Sequence, residues 1–237
     1  MFCLPNKAAS TSISHFFMNN LDTEDQNIWL DSVISESLQQ RVLKSVTATR
    51  VMVIRHPFRR LISAFHHLFR RGLDQQGFGC ARHSQSNNSC DVTANADLAD
   101  RIVKRLRPES SLALLELEEF AMFLVDRHGQ FTLLHREVEE RWPGLAAHWR
   151  PTSTACSPCS FFPHFLLEVE SLTQELPLLL TWSGLERTYG SFPQLPRLNR
   201  REGEEVTMEE LHPDTVAALA DYYREDFLIG GYSPNVP

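Results

Sequence analysis

Apolar and polar positions change their spacing several times along the chain, and each change predicts an element boundary. Residues 2–4, "FCL", are a short apolar run that breaks at Pro5 into a loop of small and polar residues over 5–12. A helix is expected from Ser12 or Ser14. Between 24 and 46, Ile28, Leu30, Val33, Ile34, Leu38, Val42 and Leu43 recur at three- and four-residue steps, the spacing of one helix face. Residues 50–54, "RVMVI", end in an unbroken apolar run, as a buried parallel strand requires. Pro57 suits the first turn of a helix, where its missing N–H costs nothing. That helix should reach about Arg71 and stop at Gly72.

Further on, 74–91 reads as a loop and 93–106 as a helix. Another helix is expected from Ser110 or Ser111, with serine as its cap, to Val125. Residues 131–160 read as mostly irregular. Helical periodicity returns over 164–176, 178–186 mixes strand and turn, and 187–206 reads as a polar surface loop. "HPDTVAALADYYREDFLIGGY" (212–232) closes the chain as one amphipathic helix with Gly230-Gly231 as its stop. Strands alternating with helices predict a single α/β domain over 1–237, a mainly parallel sheet flanked by helices.

The 237 residues, 42% of them hydrophobic, suffice for one sizeable core. No run of 18 apolar residues is present, so no membrane span is expected. "MFCLPNKAAS" lacks the layout of a signal peptide. The chain reads as soluble, or as the lumenal part of something longer. A formal net charge of −7 argues against a general nucleic-acid binder. It leaves room for local basic clusters: Arg55, Arg59, Arg60, Arg70 and Arg71, and then Arg101, Lys104, Arg105 and Arg107.

Five cysteines are present. Cys80 and Cys90 bracket a polar loop that holds Asn87-Asn88-Ser89, an N-glycosylation acceptor pattern. A disulfide beside such a pattern suits an oxidising, secretory compartment. Cys156-Ser-Pro-Cys159 has the spacing of half a zinc site, but no second ligand pair stands at suitable spacing. A structural disulfide or packed thiols is the expected role, and no metal is called for.

Two strand–loop–helix junctions carry the chemistry. In "FCLPNKAASTSISHFF" (2–17), Lys7 begins a loop of small residues, Ala8, Ala9, Ser10, Thr11 and Ser12, that leads into a helix. Small residues let main-chain N–H groups approach an anion, and the helix start adds its positive dipole end. The loop has no glycine, and its lysine precedes the turn, so it differs from the nucleotide-kinase pattern G-x-x-x-x-G-K-[ST]. In "TRVMVIRHPFRRLISAFHHLFRRG" (49–72), Arg55 leaves the end of a strand and Ser63 lies two turns into the next helix. Ligands of open α/β sheets bind outside the carboxyl ends of the strands, so Arg55 and Ser63 are candidate phosphate ligands, Arg55 through paired donors.

Taken together, the junctions resemble the sulfotransferases that use PAPS, the phosphosulfate of adenosine phosphate. The nearest resemblance is to carbohydrate sulfotransferases of the chondroitin 4-sulfotransferase and HNK-1 type. "FCLPNKAASTS" is similar to that family's 5′-phosphosulfate segment, with Phe2, Cys3, Lys7, Thr11 and Ser12. "IRHPFRRLISAF" is similar to its 3′-phosphate segment, with Arg55, Pro57, Phe58, Arg60, Leu61, Ser63 and Ala64. "HWRPTSTACSPC" resembles its H-W-x-P-x-x-x-x-C-x-P-C segment, and "YYREDFLIGGY" resembles its closing Y-x-x-D-F-x-x-F-G-Y. Four ordered matches cover almost the whole chain. Asn6 is an extra residue before the lysine, and His56 and Arg59 replace usual acidic residues. The membrane anchor typical of these Golgi enzymes is not seen.

The resemblance implies a P-loop-like sulfotransferase fold and in-line transfer of a sulfuryl group from PAPS to a glycan hydroxyl, without a metal. It implies that Lys7 stabilises the leaving phosphate, that residues 8–12 hold the 5′-phosphate, and that Arg55 and Ser63 hold the 3′-phosphate. It also implies Golgi location. A base must take the acceptor's proton. His148, in the H-W-x-P match, is the first candidate, with His15, His66 or a carboxylate as alternatives. A glycosaminoglycan acceptor, being a polyanion, calls for a basic groove, for which Arg70, Arg71 and the 101–107 cluster are candidates. A neutral glycan terminus or a small molecule suits the overall charge. The competing readings are a nucleotide kinase, disfavoured by the loop pattern, and a non-catalytic nucleotide- or glycan-binding protein of the same fold.

Overall fold

The computed structural model describes residues 1–20, 30–31, 49–70, 92–109, 114–186, 195 and 207–235. The fold is α/β. Four strands, β1 (Phe2–Cys3), β2 (Leu30–Asp31), β3 (Val51–Ile54) and β4 (Phe165–Glu168), form one sheet in the order β2-β1-β3-β4. Every pairing is parallel. Helices α1 (Ser10–Asn20), α2 (Pro57–Phe65), α3 (Val92–Leu106), α4 (Leu117–Val125), α5 (Thr132–Arg141), α6 (Pro143–Ala146), α7 (Thr152–Cys156), α8 (Pro158–Phe161), α9 (Leu172–Trp182), α10 (Pro213–Tyr222) and α11 (Arg224–Gly230) complete it. A π-helical turn, His66–Arg70, extends α2.

The chain divides into two compact units. The first holds Met1–Pro57, Arg150–Glu204 and Glu225–Tyr232; the second holds Phe58–Trp149, Glu205–Arg224 and Ser233–Pro237. The first unit contains the sheet. Side chains alternate along a strand, so β1 and β3 feed two cores. Phe2, Val51 and Val53 join Leu167 of β4, Phe16 and Phe17 of α1, and Leu172, Leu176 and Leu179 of α9. Cys3, Met52 and Ile54 join Cys156, Phe161, Ile229 and Tyr232 on the other face. The strands are therefore covered on both sides, which is why they read as unbroken apolar runs. Cys3 is disulfide-bonded to Cys156. The second unit is helical. Phe120 of α4 lies against Phe65 and Phe69 at 5.8 and 5.2 Å, and Trp149 meets it edge-on at 5.5 Å.

Several expectations need correction. Leu30–Asp31, inside the stretch read as a helix over 24–46, is a strand paired with β1; the rest of that stretch lies outside the described residues, apart from these two. The helix expected from Ser110 or Ser111 begins at Leu117. There Glu119 accepts the Glu116 N–H at 2.9 Å and a carboxylate cap replaces the serine. Residues 131–160, read as irregular, hold four helices. Three of them are four or five residues long, too short for periodicity to show, and Pro143 and Pro158 start two of those three. The helix expected over 164–176 is β4 followed by α9. Pairing with β3 residue by residue, Val51 to Phe165 through Ile54 to Glu168, decides that strand. Residues 178–182, read as strand and turn, belong to α9, whose interior tolerates Pro177.

The closing helix is two helices, broken at Tyr223, whose buried hydroxyl donates to the Trp149 carbonyl at 2.7 Å. Cys156 pairs with Cys3 across 153 residues, and Cys159 is an exposed free thiol instead of a packed one. Cys80, Cys90, the glycosylation pattern and the loops read over 74–91 and 187–206 lie outside the described residues, Leu195 excepted.

Candidate nucleotide site

Parallel pairing of β1 with β3 sends both following loops out at the carboxyl end of the sheet. The first loop turns at Pro5, whose carbonyl accepts the Ala8 N–H at 3.1 Å. Lys7 and Ala9 take left-handed backbone, φ +66° and +53°. Neither is glycine, so each costs about 1 kcal/mol. Strain of this kind collects where a loop is shaped for a ligand. α1 then begins at Ser10, its first internal bond running from the Ile13 N–H to the Ala9 carbonyl at 3.0 Å. The N–H groups of Ser10, Thr11 and Ser12 are those a helix start leaves without partners in the helix itself. Its first turn carries no acidic residue. Ala8 is fully buried and Ser12 nearly so, Lys7 and Ser10 are half-buried, and Thr11 is exposed.

Arg55 joins the two junctions. Its Nη1 donates to the Lys7 carbonyl at 2.9 Å. The guanidinium therefore holds the strained lysine in place and brings a second cation beside it. The donor set, a lysine, an arginine and main-chain N–H groups at a helix start, suits a bound anion. Ser63 and His148 fall in the second unit. Ser63 is half-buried on α2. His148 Nδ1 lies 2.9 Å from the Gly144 carbonyl and 3.2 Å from that of Leu145. Carbonyls only accept, so Nδ1 carries the hydrogen, and in the neutral ring the lone pair is on Nε2. Of the alternative bases, His15 is exposed and bonded to Asn19 at 2.9 Å. His66 is buried against Phe65.

Sequence reasoning missed a group beside Arg55. Glu170, two residues past β4, accepts the His56 N–H at 3.2 Å and the Tyr232 hydroxyl at 3.0 Å. His56, which replaces an acidic residue in the resemblance, is buried between Phe227, edge-on at 5.5 Å, and Tyr232 at 5.2 Å. A Cβ on Gly230 would lie 2.3 Å from the Tyr232 ring, so only glycine leaves that ring its place. Burial, reinforced by the charge of Glu170, pushes the Tyr232 hydroxyl far above its usual range and keeps it a donor. Burial, with Glu175 and Glu170 adding repulsion, pushes the Glu168 carboxyl up. The signal for this group lay in the closing motif match, which contains Phe227 and Tyr232.

The third and fourth motif matches prove to hold one another. Asp226 accepts the N–H groups of Thr152 and Ser153, each at 2.7 Å, and so caps α7. Tyr223 and the buried Arg60 both donate to the Trp149 carbonyl, at 2.7 and 3.3 Å, and Arg60 lies over the Tyr223 ring.

The basic cluster over 101–107 is largely neutralised. Arg101 pairs with Glu137 and Asp97, Lys104 with Asp100, and Arg107 with Glu119. The Arg101 hydrogen bond, aided by Arg141, holds the Glu137 carboxyl down to about 2. Arg71 lies outside the described residues. No helix of the described residues is long and apolar enough to cross a membrane, and no group of three metal-ligating side chains occurs among them.

Known proteins match this chain along most of its length. It is 24% identical over 195 residues to carbohydrate sulfotransferase 11 of Rattus norvegicus, covering 78% of this chain and 47% of that one. It is 23% identical over 189 residues to carbohydrate sulfotransferase 10 of Xenopus laevis, covering 77% and 47%. With carbohydrate sulfotransferase 8 of Mus musculus it shares 28% over 198 residues, covering 79% and 40%. The chain thus spans less than half the length of these relatives. No solved structure matches it. The sequence model of the sulfotransferase family aligns with residues 1–233, all four motif segments included, and the chain belongs to that family.

Proposed function

We propose that this chain is the catalytic part of a carbohydrate sulfotransferase that moves a sulfuryl group from PAPS to a glycan hydroxyl. The observation that carries the reading is the Arg55 bond to the Lys7 carbonyl, which sets two cations and an open helix start together at the carboxyl end of a parallel sheet. PAPS as co-substrate supplies the sulfuryl group, and the sulfur–oxygen bond to its phosphate breaks as one to the acceptor oxygen forms. Lys7 stabilises the charge left on the phosphate oxygen. The N–H groups of Ala8, Ala9, Ser10, Thr11 and Ser12 hold the 5′-phosphate, together with the Thr11 and Ser12 hydroxyls. Arg55 and Ser63 are assigned to the 3′-phosphate. His148 takes the acceptor's proton at Nε2, the nitrogen its main-chain bonds leave with the lone pair. No metal enters the scheme, since positioning and fixed charge suffice for transfer of this kind.

With Arg101, Lys104 and Arg107 of the 101–107 cluster paired to carboxylates, a neutral glycan fits the acceptor better than a polyanion. We place the enzyme in the Golgi lumen, where its relatives' chemistry belongs and where the Cys3–Cys156 disulfide would persist. The test is a thermal-shift titration with adenosine 3′,5′-bisphosphate, repeated for Arg55→Ala and Lys7→Ala, followed by transfer of labelled sulfate from PAPS to a glycan pool. At 100 times its dissociation constant the nucleotide stabilises by ~2.7 kcal/mol. Stabilisation abolished in Arg55→Ala, with turnover in the wild type, supports the reading. Binding without turnover leaves a nucleotide-binding protein, and no binding at all overturns it.

A further inference from the structure

His148 does not stand alone in the second unit. Its ring lies flat against that of His67, centroids 5.4 Å apart and planes 18° from parallel. His67 is carried by the π-helical turn His66–Arg70, and such turns inside helices recur at functional sites. The turn is held by its neighbours, because Phe69 within it and Phe65 just before it both pack on Phe120. The main chain at His148 is equally fixed. Trp149 is buried, and its carbonyl receives Arg60 and Tyr223. What remains to be set is the rotation of the His148 ring. The Gly144 and Leu145 carbonyls hold one edge of it, at Nδ1. Hydrogen bonds at one edge fix a point, and the stacked face fixes the plane.

We propose that His67 is a positioning residue for the reaction. Its imidazole, laid on that of His148, keeps the ring in the one orientation in which Nδ1–H reaches the carbonyls and Nε2 is the single nitrogen able to take a proton. The proposal rests on the assignment of His148 as the base. It gives that base the orienting partner that catalytic histidines elsewhere obtain from a carboxylate, here built from main-chain carbonyls and a second ring.

Nitrogen NMR of the full chain labelled at histidine tests the physical half without any need for activity. The His148 signal is identified by its loss in His148→Gln. In the wild type near neutral pH, His148 should show the Nδ1–H tautomer alone. In His67→Ala the ring should populate both tautomers, and His67→Phe, which restores a flat face without a titratable nitrogen, should return it to one. Turnover with PAPS and a pool of desulfated chondroitin and neutral glycans tests the catalytic half. His67→Ala should lower kcat by about 10–100-fold, the scale of a misplaced reacting group. KM for both substrates and the affinity for adenosine 3′,5′-bisphosphate should stay at wild-type values, and His67→Phe should regain most of kcat.

A single Nδ1–H tautomer persisting in His67→Ala overturns the proposal. So does a His67→Phe no better than His67→Ala, which would mean that the His67 nitrogens act and not its face. A fall in nucleotide affinity parallel to kcat also overturns it, by showing a general loss of structure. If the wild type binds no nucleotide and transfers no sulfate, the reading under Proposed function fails, and the catalytic role of His67 fails with it. In that case the tautomer spectra still decide whether His67 holds the ring.

Discussion

Two pairs of segments run through this chain, and they are built for opposite ends. In the first pair, residues 2–12 and 51–63, stand the cations and the helix start proposed to hold a nucleotide. Lys7 and Ala9 sit in strained backbone at a helix start, and Arg55 donates to the loop it steadies. In the second pair, residues 149–159 and 222–232, polar groups bond to each other. Asp226 caps α7 with both oxygens, while Tyr223 closes on the Trp149 carbonyl. All four segments look alike as motifs. The difference teaches that one motif match can carry candidate chemistry and another architecture, and that the groups its polar atoms bond to separate the two.

The comparison breaks if the two kinds of segment respond alike to mutation. The largest effect is expected from the disulfide. It closes a loop of 153 residues, and on chain entropy its loss in Cys3→Ala/Cys156→Ala should lower unfolding stability by ~5 kcal/mol. Urea unfolding of that variant and of the wild type measures it; an unchanged midpoint would remove the bond from the architecture. Lys7→Ala should cut turnover by ~10²–10³-fold, as loss of a donor to developing charge does, and leave unfolding stability within ~0.5 kcal/mol. Asp226→Ala should do the reverse. It strips one buried and one part-buried N–H group of a charged acceptor and should destabilise by about 3 kcal/mol. At temperatures where it stays folded, its affinity for adenosine 3′,5′-bisphosphate should equal that of the wild type. A drop in affinity would show that α7 serves the site as well.

Smaller effects sharpen the picture. Tyr223→Phe keeps the ring and removes one hydrogen bond, so a loss of ~1 kcal/mol is expected. Glu137 supplies a pH test. Its folded value, about 2, is below the ordinary 4.5, so its contribution is complete above that ordinary value and disappears as pH falls toward 2. In Glu137→Gln the acid limb of stability against pH should flatten slightly. An identical limb would mean that solvent screens the Arg101 pairing entirely.

Much of the candidate site was legible in the sequence. "FCLPNKAASTS" and "IRHPFRRLISAF" each announce a strand, a loop with a cation, and a helix, because buried parallel strands and helix starts have local signatures. Arg55 and Lys7 stand out on those grounds as candidates, and the fold sets the Arg55 guanidinium 2.9 Å from the Lys7 main-chain carbonyl. Glu170 does not stand out, because nothing near it in sequence shows that it will stand between His56 and Tyr232. The secondary structure failed in the same way. α7 and α8 are one turn each, too short for a period to register, and β4 is a strand only because β3 lies beside it.

By itself, then, the sequence determined what depends on neighbours along the chain: β3 and the helix after it, the small-residue loop at Lys7, α3, and the family to which the four segments belong. Tertiary structure decided what depends on partners far away: the strand at Leu30, the Cys3–Cys156 pairing, the break at Tyr223, and the His67 ring lying on His148. The physical reason is range. Helix periodicity and caps are fixed by residues three or four apart, whereas strand pairing, disulfides and buried hydrogen bonds are fixed by whichever groups the packed core brings within reach.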